Sequence, residues 1–210
     1  MKYLKLILFF ALIFLTAINI SGCASITAPS TRQDICSIFR QKPSWYWTAE
    51  DVQKKWNLPM STLMAIMYQE SSFGQHAKPP RTKLLWIIPW KRPTSASGYS
   101  QAIEATWMKY KSDTHNYRAN RNDFDDAADF IGWYASLISK NLGVPTSDTY
   151  SIYLAYHEGS GNYQHGTHKK KPWLIDVAKN VQRRAWIYQT QLRTCADSLP
   201  VKHWWNIISE

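Results

Sequence analysis

No stretch of this 210-residue chain alternates apolar with polar residues as a half-buried strand requires, and no segment repeats. A sheet-built body and a repeat architecture are therefore excluded, which leaves a mainly α chain. Cysteine is scarce: Cys23, Cys36 and Cys195 are the only three, so at most one bridge can form within the chain. No histidine spacing matches a zinc site. His165-Gly166-Thr167-His168 fits no such pattern, and Lys169-Lys170-Lys171 beside it would repel a cation. Neither a metal nor a cofactor is expected. Acidic residues are outnumbered, with 15 Asp and Glu against 25 Lys and Arg, giving a formal charge of +10. The one long apolar run, Leu6 to Ile18, is too short to span a membrane comfortably as a mature helix.

That run follows Lys2 and Lys5 and precedes Ile20-Ser21-Gly22-Cys23. It reads as a secretory signal over residues 1–22. The small residues before Cys23 resemble a bacterial lipobox, which implies cleavage before Cys23, a lipid on that cysteine and anchoring to a membrane. Ala24 follows where an Asp would suggest retention at the inner membrane. The expected address is the periplasmic face of the outer membrane. Residues 23–43 read as a polar lipidated tether, 44–197 as a single domain and 198–210 as a tail. With Cys23 acylated, an oxidising compartment lets Cys36 pair with Cys195. Export argues against nucleic acid as the partner of so basic a chain. Anionic lipid and the carboxylate-bearing wall glycan remain, and a cell-wall or secretion machinery is a further candidate partner. Eleven Trp and twelve Tyr suit the apolar faces of sugar rings or a core, and composition does not choose between them.

Helix signals are plentiful. Thr48 with Asp51 reads as the start of a helix to Trp56, and Pro59 as the start of another to Glu70. Ile103 to His115 is a third. Asp123 caps a strong amphipathic helix ended by Gly143. Thr149 to His157 is stopped by Gly159, and Pro172 opens a long last helix carrying Val177, Val181, Tyr188 and Leu192 at helical spacing. Residues 77–97 break the pattern. Pro79, Pro80, Pro89 and Pro93 exclude a regular helix. The segment reads as an extended excursion or short hairpin with an apolar tip and basic flanks, packed as a lid, touching the membrane surface or, as the favoured reading, acting as a flap over a glycan.

Glu70 ends the apolar run Leu63-Met64-Ala65-Ile66-Met67-Tyr68-Gln69. A carboxyl at such a place can be partly desolvated and stay protonated near neutrality, as a general acid for a sugar leaving group must be. Three segments then fall in order: Glu70-Ser71-Ser72-Phe73, Gly98-Tyr99-Ser100-Gln101 and Ala155-Tyr156-His157-Glu158-Gly159. Together, over roughly residues 59–163, they resemble the lytic transglycosylases of the soluble type, in the lysozyme-like superfamily. That family carries Glu-Ser, Gly-Leu-Met-Gln and Ala-Tyr-Asn-Ala-Gly. The present chain departs from it at Tyr99-Ser100, at His157, at Glu158 and in the longer spacer between the first two motifs.

The resemblance implies a single lysozyme-like domain with a glycan-binding groove that cuts the β-1,4 bond between N-acetylmuramic acid and N-acetylglucosamine in peptidoglycan. By position, Glu70 matches the catalytic acid/base and Ser71 the serine beside it. Gly98 and Gln101 match the ends of the second motif, with the amide reaching the substrate, and Tyr156 the tyrosine near the catalytic carboxyl. Ser72, Tyr99, His157 and Glu158 join them as substrate-binding candidates. A single carboxyl suffices where the sugar's own 2-acetamido group attacks C1, after which the C6 hydroxyl closes a 1,6-anhydro ring. Glu158 has two readings: an ordinary helix-end carboxylate, or a groove residue that supports Glu70, even by holding a water. The alternatives are a muramidase that adds water to the same bond and a non-catalytic peptidoglycan-binding lipoprotein.

Overall fold

The chain is organised by one helix with no exposed side along most of its length. The computed structural model describes residues 28–80, 83–84, 88–89 and 94–202. Within them run α1 (Ile35–Gln41), α2 (Pro43–Trp56), α3 (Met60–Ser71), α4 (Glu104–Thr114), α5 (Phe124–Leu142), α6 (Thr149–Glu158), α7 (Ser160–Gln164) and α8 (Pro172–Cys195), with short 3-10 turns at Thr167–Lys170 and Ala196–Ser198. In α3 every residue from Ser61 to Met67 is buried. A helix apolar all round must be enclosed by others, and α2, α5 and α8 supply that enclosure. Outside this layer α5 packs on α2, and α6 packs on α8. The α2–α5 crossing is close: a Cβ at Gly132 would lie 2.5 Å from Cδ1 of Trp56 and 2.7 Å from Cγ1 of Val52.

Much of the aromatic content is core. Trp45 stacks on Phe124 with centroids 4.0 Å apart, and Tyr99 meets both rings edge-on. Trp107, Tyr110, Phe130 and Trp133 form a second buried group. Trp173 and Trp186 are instead 56 % and 66 % exposed.

The caps at Asp123, Gly143 and Gly159 are where the sequence places them. Asp123 accepts from the amides of Asp125 and Asp126, and Gly143 takes the left-handed conformation at φ 68°. The start of α2 differs. It begins at Pro43, whose fixed φ suits a first helical turn, so Thr48 lies inside the helix and its hydroxyl donates to Asp125. The tether reading of residues 23–43 also needs correction. Asp34 caps α1 by accepting from the Cys36 amide, and Ile35, Cys36, Ile38 and Phe39 are all buried. Four apolar residues at helical spacing were masked by polar neighbours. The tail reading of 198–210 gives way at its start: Leu199 is buried, Trp47 Nε1 donates to the Pro200 carbonyl at 2.7 Å, and Lys202 pairs with Asp51.

In the proline-rich excursion, Lys83–Leu84 pairs antiparallel with Ile88–Pro89, Lys83 opposite Pro89 and Leu84 opposite Ile88. This is the short hairpin of the sequence reading. Its apolar tip, and with it the flap role, lies outside the described residues, as do the signal segment and Cys23. Among the described residues no helix is long and apolar enough to cross a membrane.

Cys36 and Cys195 form a disulfide with Cα atoms 6.2 Å apart across 159 positions of sequence. It joins α1 to the end of α8. Closing so long a loop removes denatured-state entropy worth about 5 kcal/mol in the chain-entropy model. Reduction, or the pair Cys36→Ala and Cys195→Ala, is expected to lower the unfolding free energy by about that amount. Urea unfolding with and without reductant measures it, and coincident curves would refute it.

Candidate active site

Glu70 is the penultimate residue of α3, in its last turn. The negative end of the helix dipole disfavours a carboxylate there. Burial adds to this and is the largest cause raising its pKa from 4.5 to about 7, while a hydrogen bond donated by the Tyr153 hydroxyl pulls it partway back. The carboxyl lies in the wall of a cavity of about 600 Å³, together with Gln101, Phe130, Tyr134, Tyr156, His157, Glu158 and Gly159. That volume is in the range of small-ligand pockets.

Two tyrosines one turn apart on α6 face this carboxyl. Tyr153 donates to it and is itself held neutral far into the alkaline range by burial and by Glu70. Tyr156 donates to the Ser100 carbonyl at 2.8 Å, and burial and the nearby Glu70 raise its pKa strongly. The tyrosine that touches Glu70 through a hydrogen bond is therefore Tyr153, which the sequence reading missed. Its signal was its place three residues before Tyr156.

Just after Glu70 the backbone reverses through two left-handed residues, Ser72 at φ 51° and Phe73 at φ 60°. Such conformations are costly without glycine, and the fully buried Phe73 ring anchors them. The turn brings the Ala77 carbonyl under the second motif, where it accepts from the Gly98 amide and from Nε2 of Gln101, each at 2.9 Å. Gly98 is at φ +75°, and a Cβ there would lie 2.0 Å from the carbonyl oxygen of Arg121. No other residue fits.

Several expected contacts change as a result. Gln101 lines the cavity, but Nε2 donates both to Ala77 and to the Gly98 carbonyl at 2.8 Å. Its amide hydrogens brace the loop, and only its oxygen is left for substrate. Tyr99 is 3 % exposed in the Trp45–Phe124 cluster and is absent from the cavity wall, so its substrate-contact reading is corrected. It is large and apolar enough to serve the core. Ser71 donates back to the Met67 carbonyl, and Ser72 caps α3. Like Gly98, neither is in the cavity wall; all three shape the backbone behind it.

Glu158 does line the cavity, but it is committed elsewhere. Its side chain is 3 % exposed, and Nζ of Lys171 donates to both oxygens at 2.7 and 2.9 Å. Burial alone would raise its pKa. Hydrogen bonds from Lys171, Thr167 and His157 outweigh this and hold it at about 2. It is a fixed anion and does not appear among the causes of the Glu70 shift. Its charge is paired by Lys171, the last lysine of the basic run, which turns inward onto it. Among the described residues no group of three or more His, Cys, Asp or Glu is placed to hold a metal ion.

On a mainly helical body, a buried carboxyl with a raised pKa and an ion-paired one thus share one cavity wall. The family model for the transglycosylase SLT domain matches residues 11–195, and the chain belongs to that family. It is a lytic transglycosylase acting on the glycan strands of peptidoglycan, a lyase-type cleavage. No curated protein and no solved structure matches the chain.

The raised pKa of Glu70 has a cost in stability. Between pH 4.5 and about 7 the folded protein holds a proton that the unfolded chain releases, so stability falls as pH rises through that window. Glu70→Gln carries no such proton. Its stability relative to the native protein should grow across the window by up to about 3 kcal/mol and stay level above pH 7. Urea unfolding at pH 4 to 8 tests this; a gap that does not change with pH rules it out.

Proposed function

We propose that Glu70 acts alone as acid and then base in cutting the bond after N-acetylmuramic acid, with a 1,6-anhydro ring as the product. The observation that carries this is the inequality of the two carboxyls in the cavity wall. Glu70 keeps its proton to about pH 7, whereas Glu158 is bound to Lys171. Glu70 gives its proton to the bridging oxygen as the C1–O bond breaks, and the departing sugar leaves with a free hydroxyl. The 2-acetamido oxygen bonds to C1 and relieves the developing positive charge. The Glu70 carboxylate next takes the proton from the C6 hydroxyl. That oxygen bonds to C1, the acetamido oxygen departs, and Glu70 is protonated again. No water is consumed.

Digestion of purified sacculi by the form lacking residues 1–23, followed by mass spectrometry, tests this reading. The native protein should release fragments one water lighter than hydrolytic ends, and Glu70→Gln should be slower by about 10²–10⁴-fold. Hydrated ends would assign a muramidase. Binding without release by either form would assign a wall-binding protein. The rate should fall about tenfold per pH unit above pH 7, where the acid is deprotonated. Tyr153→Phe removes the bond that lowers the Glu70 pKa and should move that alkaline limb upward.

The same reading places the enzyme outside the cytoplasm on a lipid at Cys23. The Cys36–Cys195 bond supports export, because such bridges persist in oxidising compartments. Labelled palmitate should be incorporated into the native protein and not into Cys23→Ser, which should fractionate as a soluble periplasmic protein. Labelling of both forms would refute the anchor.

A further inference from the structure

We propose that the exposed indole of Trp173 is the stacking platform of an outer glycan subsite that continues the catalytic cavity. The proposal rests on the glycan-cleaving reading above and adds a place where the strand is gripped beyond the cleaved bond. A polymer cannot be contained in a cavity of about 600 Å³, so it must leave over a rim. On the α6 side the wall is formed by His157, Glu158 and Gly159, of which His157 is the partly exposed side chain. A Cβ at Gly159 or at Gly161 would meet nothing within 4 Å, so this side is open. Trp173 stands against that rim. Its ring lies edge-to-face on His157, with centroids 5.3 Å apart at 78°.

Exposure alone is a weak argument, since Trp186 on the same helix is more exposed. Rigidity and position separate the two. Trp173 is the second residue of α8, just after Pro172 fixes the first turn. Lys171 immediately before it is bonded to both oxygens of the buried Glu158. The Thr167 hydroxyl donates to Glu158 as well, and Nδ1 of His157 lies 3.3 Å from the same carboxylate. One carboxylate thus ties the end of α6, the Thr167–Lys170 turn and the residue before Trp173 together. A platform already fixed loses little entropy when a ligand settles on it. A flat apolar ring with a polar edge suits the apolar face of a sugar. This also gives the buried pair a function that acid catalysis does not use. Lys171 and Glu158 are positioning residues for the platform.

The test compares strand lengths. Glycan strands released from sacculi and sorted by length serve as substrates for the full mature chain, and as ligands for the Glu70→Gln form. Trp173→Ala should lower kcat/KM on long strands about tenfold (1.4 kcal/mol), mainly through KM, with a smaller loss on the shortest cleaved fragments. Trp173→Phe should recover most of it, and Trp186→Ala should show no length-dependent change. Lys171→Met should weaken long-strand binding while Trp173 is intact, which a merely packed indole would not produce. Urea unfolding of each variant separates these effects from misfolding. Equal losses on short and long strands by Trp173→Ala, or no loss, would overturn the proposal. An active Glu70→Gln would instead strike the catalytic reading, and the binding measurements would still decide the platform.

Discussion

The constraint on which the rest depends is the enclosure of α3. Seven consecutive residues from Ser61 to Met67 are buried, so water must be kept from every face of that helix. At roughly 1.5–3 kcal/mol for each large apolar side chain removed from water, Leu63, Met64, Ile66 and Met67 bring α2, α5 and α8 into contact around them. The enclosure stops one turn later. Glu70 is where the helix emerges from its sheath, close enough to the core to be starved of solvent and close enough to the cavity to meet a substrate. Catalytic potential and folding thus originate in the same packing, and the carboxyl is tuned by where the sheath ends.

The second motif works mainly from behind the cavity. Gly98 allows the chain to pass against Arg121, and Gln101 ties that passage to the carbonyls of Ala77 and Gly98. The turn at Ser72 and Phe73 is what carries Ala77 to that place. Tyr99 and Ser100, where the chain departs from the family pattern, fit this supporting role. Tyr99 fills the Trp45 cluster, and the Ser100 carbonyl receives Tyr156. Tyr99 serves by packing, and the fully buried Ser100 serves through its backbone carbonyl.

Legibility in the sequence followed the range of the interactions. Helices marked by local chemistry, such as that from Asp123 to Gly143, were readable because cap and stop lie next to the residues they govern. The desolvation of Glu70 was readable from the apolar run before it. Burial of α1 was hidden, because its partners lie some 150 residues away: the Ile35 amide donates to Gln191, and Tyr188 donates to the Arg32 carbonyl. Tyr153 was missed for a related reason, since its bond to Glu70 crosses from α6 to α3. The fate of Glu158 could not be read because Lys171 looked like one member of a solvated basic run. Only the fold shows that this lysine turns inward.

The bridge between α1 and the end of α8 also sets how the molecule responds to being pulled. A load applied between residues 36 and 195 passes from one sulfur to the other without travelling through the 158 residues between them. The whole of α3, with Glu70, and Tyr153 and Tyr156 of α6 lie within that bypassed loop. Force between the two cysteines is therefore carried by a covalent shortcut that bypasses the hydrogen bond between Tyr153 and Glu70.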